Sequence, residues 1–159
     1  MASSDFFEID MSLRLWSEQI PLKPIFDALD VTLDHLHVAG EPMARDGRLA
    51  ERRARRHYAS LENTQSGNEA DVTSWCRRVI EKIESRKSLV GALQTGQIVG
   101  TLWIAVLGSS RPVQVANLPA DVVEAAEKLN LGVLLENYTD MSDGGIPKKT
   151  WFVRQGTDV

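Results

Sequence analysis

Phe7, Ile9, Met11, Leu13 and Leu15 alternate with Glu8, Asp10, Ser12 and Arg14. A period of two predicts a strand with one face in a core and one face wet. A half-wet strand belongs to an antiparallel or mixed sheet rather than a buried parallel one. Leu22, Ile25, Phe26 and Leu29 then fall at i, i+3, i+4 and i+7, the apolar stripe of a short helix. Pro21 and Pro24 fit only its first turn, where their missing N–H groups are not needed. Val31 to Val38 alternates loosely and reads as a weaker second strand.

From Ala39 to Arg56 the pattern breaks down, with Gly40, Pro42 and Gly47 followed by closely spaced arginines. This stretch reads as a loop with a helical turn in its second half. His57 to Glu62 reads as a short strand and Asn63 to Asn68 as a turn. The strongest helical signal follows. Asn68 is placed to cap it, and Val72, Trp75, Cys76, Val79, Ile80, Ile83, Val90 and Leu93 keep a 3.6-residue period over about six turns. Gly96 is its expected stop.

Ile98 to Leu107 is apolar on both faces: Ile98, Leu102, Ile104 and Val106 on one, Val99, Trp103, Ala105 and Leu107 on the other. This predicts a central strand or a self-associating one. Gly108 to Pro112 reads as a turn and Val113 to Ala116 as a second hairpin strand. Pro119 opens a third helix on Val122, Ala126 and Leu129, ended by Gly132. Val133 to Tyr138 reads as a strand, 140–149 as a Gly/Pro/Asp loop, and Thr150 to Arg154 as an edge strand.

The resulting order, β-α-β-β-α-β-β-α-β, predicts an α+β fold. A mostly antiparallel sheet would carry helices on one face, ferredoxin-like in kind. Residues 1–159 are expected to form a single domain, with the Arg-rich loop at 39–56 and the second loop at 140–149. Hydrophobic residues at 43% and charged residues at 25% are globular values. The net charge of −4 argues against bulk nucleic-acid or anionic-membrane binding. A lone cysteine excludes an intramolecular disulfide. The start of the chain lacks a basic segment followed by an apolar one, and no apolar run is long enough to span a bilayer. A cytoplasmic location without membrane contact is the expectation.

Several stretches carry a resemblance: Met11 to Trp16, Pro24 to Val31, Ala39 to Pro42, and above all Leu118 to Gly132 leading into Leu134 to Tyr138. With the element order, they resemble a bacterial family known as domain of unknown function 4279, in which a helix closing on Leu-Gly leads to a strand closing on Tyr. The likeness covers most of the chain up to Tyr138. It departs at Tyr58, where the family often has Trp. The family brings no activity, so the resemblance implies a fold and leaves function open.

Candidate chemistry is sparse. His35 and His37 share a face of their strand and could hold a metal only with a third ligand, which is not nearby in sequence. No metal site is expected. Cys76 sits on the apolar stripe of the long helix, where thiols are inert. Asp121, Glu124 and Glu127 mark a wet helix face. Arg45, Arg48, Arg52, Arg53, Arg55 and Arg56 could contact phosphates or an acidic partner, since guanidinium forks suit anionic oxygens. Only His57 and Tyr58 accompany them as stacking groups, which supports nucleic-acid recognition poorly.

No Walker loop, dinucleotide fingerprint, nucleophile elbow or zinc spacing occurs. No catalytic residue and no cofactor are assigned, and a non-enzymatic role is favoured. The expected function is protein–protein interaction, with a homodimer formed through Trp103 and Leu107. An immunity-like role against a protein partner is compatible with it. The alternatives are a small-ligand protein or enzyme using a cleft near 40–56, and phosphate or nucleic-acid binding by the arginines. The tail from Thr150 to Arg154, or a second subunit, would have to cover the open sheet face.

Overall fold

A computed structural model of the chain describes residues 7–29, 34–45, 48–53, 56–108, 118–138 and 147–154. In chain order its elements are β1 (Phe7–Ser17), α1 (Lys23–Ala28), β2 (His35–His37), β3 (Pro42–Arg45), β4 (Arg48–Arg53), β5 (His57–Gly67), α2 (Glu69–Glu84), α3 (Lys87–Gln94), β6 (Val99–Gly108), α4 (Ala120–Lys128), β7 (Leu131–Asn137) and β8 (Lys148–Val153). The alternation of β1 is realised from Ile9 to Leu15. Ile9, Met11, Leu13 and Leu15 are at most 1% exposed, and the residues between them face the other way.

β1 is bordered on both sides, by β5 and β6, in a six-stranded sheet of order β2-β5-β1-β6-β7-β8. Each neighbouring pair is antiparallel except β6 and β7, which are parallel. A parallel pair needs a crossover, and α4 lies in the segment between the two strands. The fold is therefore α+β with a mixed sheet, and the ferredoxin-like topology expected from the element order is not matched. The hairpin partner expected at Val113–Ala116 lies outside the described residues, as do 140–146 of the second loop; Lys148 and Lys149 of that loop belong to β8.

One apolar cluster joins the inward residues of the sheet to the helices. It includes Leu13, Leu102, Ile104, Leu131, Val133 and Leu135 from the strands, Leu22 and Phe26 beside and within α1, Ile80 and Ile83 from α2, Leu89 and Leu93 from α3, and Val122 and Ala126 from α4. Leu134, with 7% exposure, is buried but lies outside that cluster, because it points to the opposite face.

Several local expectations are corrected. The stretch 39–56 contains a two-stranded ribbon, with β3 antiparallel to β4, rather than a loop with a helical turn. Its backbone amides pair with each other, which an aperiodic polar sequence does not announce. Asn63 to Gly67 continues β5 instead of turning, because β1 offers a pairing partner as far as Phe7. The long helix is two helices. The polar run Glu84 to Ser88 carries no apolar residue to hold a stripe, and Arg86 is extended (φ −121°, ψ 96°) between them. Gly96 does take the left-handed conformation after α3 (φ 78°). Gly132 does not end α4: Asn130 takes that role with φ 55°, and Gly132 lies inside β7.

Asn68 caps α2 as expected. Its side chain accepts the backbone N–H groups of Ala70 and Asp71, and the Asp71 carboxyl accepts the N–H of Asn68 at 2.8 Å. Asn68→Ala should lower stability by about 1 kcal/mol, read as a reduced urea midpoint at unchanged slope.

Candidate functional site on the outer sheet face

The face of the sheet turned away from the helices is assembled by register. Glu62, Ser12, Trp103, Leu134 and Trp151 form one row across β5, β1, β6, β7 and β8. On one side of it lie His35, Ser60, Arg14, Thr101 and Gly132. On the other lie Thr64, Asp10, Ala105, Glu136 and Lys149. His37, Tyr58, Trp16 and Val99 make a further row beyond Arg14. Three of the four tryptophans therefore stand on this face, and only Trp75 is in the core.

Arg14 and Trp103 form its centre. The guanidinium lies 3.5 Å from the centroid of the indole ring, and Arg14 Nε donates to Ser12 Oγ at 3.0 Å. A planar cation on the best aromatic acceptor is held at low entropic cost. Beside it, Glu136 is 3% exposed. Tyr138 O–H donates to its Oε2 at 2.6 Å, and Lys149 Nζ stands 3.6 Å from Oε1. The hydrogen bond to Glu136 is the main reason that the Tyr138 phenol is pushed above the usual tyrosine range; burial and the nearby carboxyl charge add to it, and Arg14 opposes it.

At the far edge β2 brings His35 opposite Ser60, with His35 Nε2 3.4 Å from Glu62 Oε1. Serine, histidine and carboxyl thus meet in a way that 25 residues of separation in sequence concealed. The Ser60 hydroxyl is fully buried and has no hydrogen-bond partner among the described residues. A working nucleophile needs both access and a base within hydrogen-bond reach, so the trio is not a catalytic triad. His37 does share the face with His35, but its ring meets the edge of Tyr58. Among the described residues no three His, Cys, Asp or Glu groups are placed to hold a metal ion.

The remaining candidates fall as follows. Cys76 is buried, and burial pushes its thiol up to about 12, which leaves almost no thiolate at neutral pH. Asp121, Glu124 and Glu127 are exposed on α4, with Asp121 bound by Arg77 of α2. Arg45, Arg48, Arg52 and Arg53 lie on the β3–β4 ribbon, and Arg55 lies outside the described residues. Arg56 is exposed, its guanidinium 5.5 Å from the Trp16 ring centroid. The two borders a cleft of about 480 Å³, whose other walls include Ser17, Gln19, Gln97 and Val99. Trp103 is half-buried beneath Arg14, and Leu107 is 43% exposed. The tail forms β8 at the sheet edge and extends the outer face rather than crossing it: Trp151 pairs with Leu134, while Phe152 packs against the core.

Comparison of the chain with protein-family models, with curated proteins and with solved structures finds no match in any of them. No helix among the described residues is long and apolar enough to cross a membrane.

The tyrosines give a direct check on the Glu136 cluster. The folded chain holds the Tyr138 proton more tightly than the unfolded chain. Its contribution to stability is therefore complete below the ordinary tyrosine range and is lost as pH rises through the raised folded value. Ultraviolet titration should show the Tyr138 phenol ionising above the usual tyrosine range, and Glu136→Gln should lower it.

Proposed function

We propose that this protein works by protein–protein contact, with the β6–β8 half of the outer sheet face as its contact surface. The observation that carries the reading is the placement of Trp103 and Trp151 outside the core. Trp and Arg are the side chains that contribute most to interfaces, and here one of each is stacked at the centre of a face on which no helix among the described residues packs. All the helical apolar residues of the cluster serve the other face. An immunity-like role is one form such contact could take. Membership in domain of unknown function 4279 is kept as part of this proposal. It rests on Leu118 to Gly132, which spans α4, and on Leu134 to Tyr138 in and after β7.

Placing a photo-crosslinking side chain at Leu107 or Trp151 tests the reading. A discrete protein adduct is expected in the source cell from both positions, and none from Glu81 on the exposed side of α2. Adducts equally abundant from all three positions, or absent from all, would refute it.

The cleft beside Arg56 supports a second reading, small-ligand binding. An aromatic ring under an exposed cation suits a planar anion, and the volume is that of a small-molecule site. Calorimetric titration with benzoate should then give saturable binding that Arg56→Ala abolishes. Heats that stay linear in both proteins would exclude this reading for that class of ligand.

A further inference from the structure

We propose that the cleft beside Trp16 and Arg56 binds a free guanine nucleotide. The base would stack on Trp16, with its O6/N7 edge on the Arg56 fork and its N1–H/N2–H edge on the Glu18 carboxyl. This rests on the reading of that cleft as a small-ligand site and adds which ligand fills it.

The cleft opens at the end of the sheet where β1 leaves and β6 enters. Trp16 lines it from a fixed position, paired with Tyr58 of β5 on one side and Val99 of β6 on the other. One wall is the turn from Ser17 to Ile20. It is pinned from within: the buried Ser17 accepts the backbone N–H groups of Gln19 at 3.3 Å and Ile20 at 2.9 Å on its Oγ, and Ile20 packs against the core. The backbone that carries Glu18 is held by these contacts. Gly96 and Gln97, in the turn after α3, form the opposite wall.

The two indoles near arginines on this side differ in how they are covered. Arg14 closes on Trp103 at 3.5 Å and is tied to Ser12, which seals that ring. Arg56 stands 5.5 Å from the Trp16 centroid and is exposed, and no hydrogen bond or carboxyl among the described residues holds it. A flat ring laid on an indole sits about 3.5 Å above it. A base on Trp16 therefore moves the guanidinium from over the indole to the rim, where the fork can meet the base edge in its own plane.

The pair of charges selects the base. Among the described residues, Arg56 and Glu18 are the charged side chains that line the cleft. A fork and a carboxyl together suit a ring with acceptors on one edge and donors on the next, more closely than an ion of either sign. Guanine offers O6 and N7 as adjacent acceptors, the pair that an arginine fork reads, and N1–H and N2–H as parallel donors for the two oxygens of a carboxyl. Adenine puts a donor beside N7 and an acceptor at N1, so both contacts are mismatched. Uracil and thymine have one ring N–H, and cytosine has one amino group without a ring N–H beside it, so none of them fills the carboxyl. Stacking on the indole is common to all bases and does not discriminate.

Calorimetric titration of the full chain with guanosine and adenosine monophosphates tests this, because the two share sugar and phosphate. Guanosine monophosphate should bind saturably and adenosine monophosphate about tenfold or more weakly. Inosine monophosphate, which lacks the N2 amino group, should fall between them. Arg56→Ala should weaken guanosine monophosphate about tenfold, and Glu18→Gln should remove its advantage over adenosine monophosphate. Both residues are exposed, and circular dichroism checks that each variant is folded. Equal affinity for the two nucleotides, or a preference that survives Glu18→Gln, overturns the guanine assignment. A guanine-containing single-stranded oligonucleotide bound about tenfold tighter than the mononucleotide overturns the free nucleotide in favour of a strand. If guanosine monophosphate gives no binding while benzoate does, the guanine assignment falls and the cleft remains a small-ligand site. If neither binds, both readings fall.

Discussion

β1 is bonded along both edges, and that fixes the directions of its side chains. A strand paired on each side cannot rotate or slip without moving every residue to the wrong face. The full burial of Ile9, Met11, Leu13 and Leu15 therefore sets which residues of β5 and β6 look inward, and through the parallel pairing of β6 which residues of β7 do. The helices follow, since each has one apolar stripe and only one apolar face to lay it on. Polar contacts tie α4 and the turn after it to its neighbours: Arg77, midway along α2, on Asp121, Gln94 Nε2 donating to the Lys128 carbonyl, and Asn130 Nδ2 donating to the Leu93 carbonyl.

Among the described residues every helix packs on one side of the sheet, and the other side has a different chemistry. Small polar residues, Ser12, Ser60 and Thr101, sit between larger ones and are nearly inaccessible. The large ones are amphipathic. Trp103 carries Arg14, Trp16 has Arg56 over it, and Trp151 has Arg154 with its guanidinium 5.9 Å from the ring centroid. A cation laid on an indole keeps the ring partly covered while presenting charge outward, which keeps an aromatic face compatible with water.

Much of the scaffold was legible because it obeys simple periods. The strand at β1, the stripe of α2 with its Asn68 cap, the apolar duality of β6 and the stripe of α4 all follow from residue spacing. The reading failed where pairing rather than pattern decides structure. β3 and β4 bond to each other through backbone groups that arginine and glycine positions do not advertise, and β5 runs on past Glu62 because β1 is there to receive it. The break between α2 and α3 was visible as a polar run that the apolar count passed over. Of the candidate site, Trp103 and Leu107 were read from the double apolar face of β6. Arg14, Glu136, Tyr138 and Ser60 were not, because they come from four positions whose proximity is created only by strand order.

Strand order also bears on how such a sheet associates. One free edge is β2, only three residues long, and an edge that short offers few unpaired groups to a second sheet. The other is β8, where Lys148 and Lys149 are exposed. Lysines on an edge strand oppose continuation of the ladder, because adding an identical strand would bring their charges together. Both edges are thus guarded by devices that leave the outer face untouched.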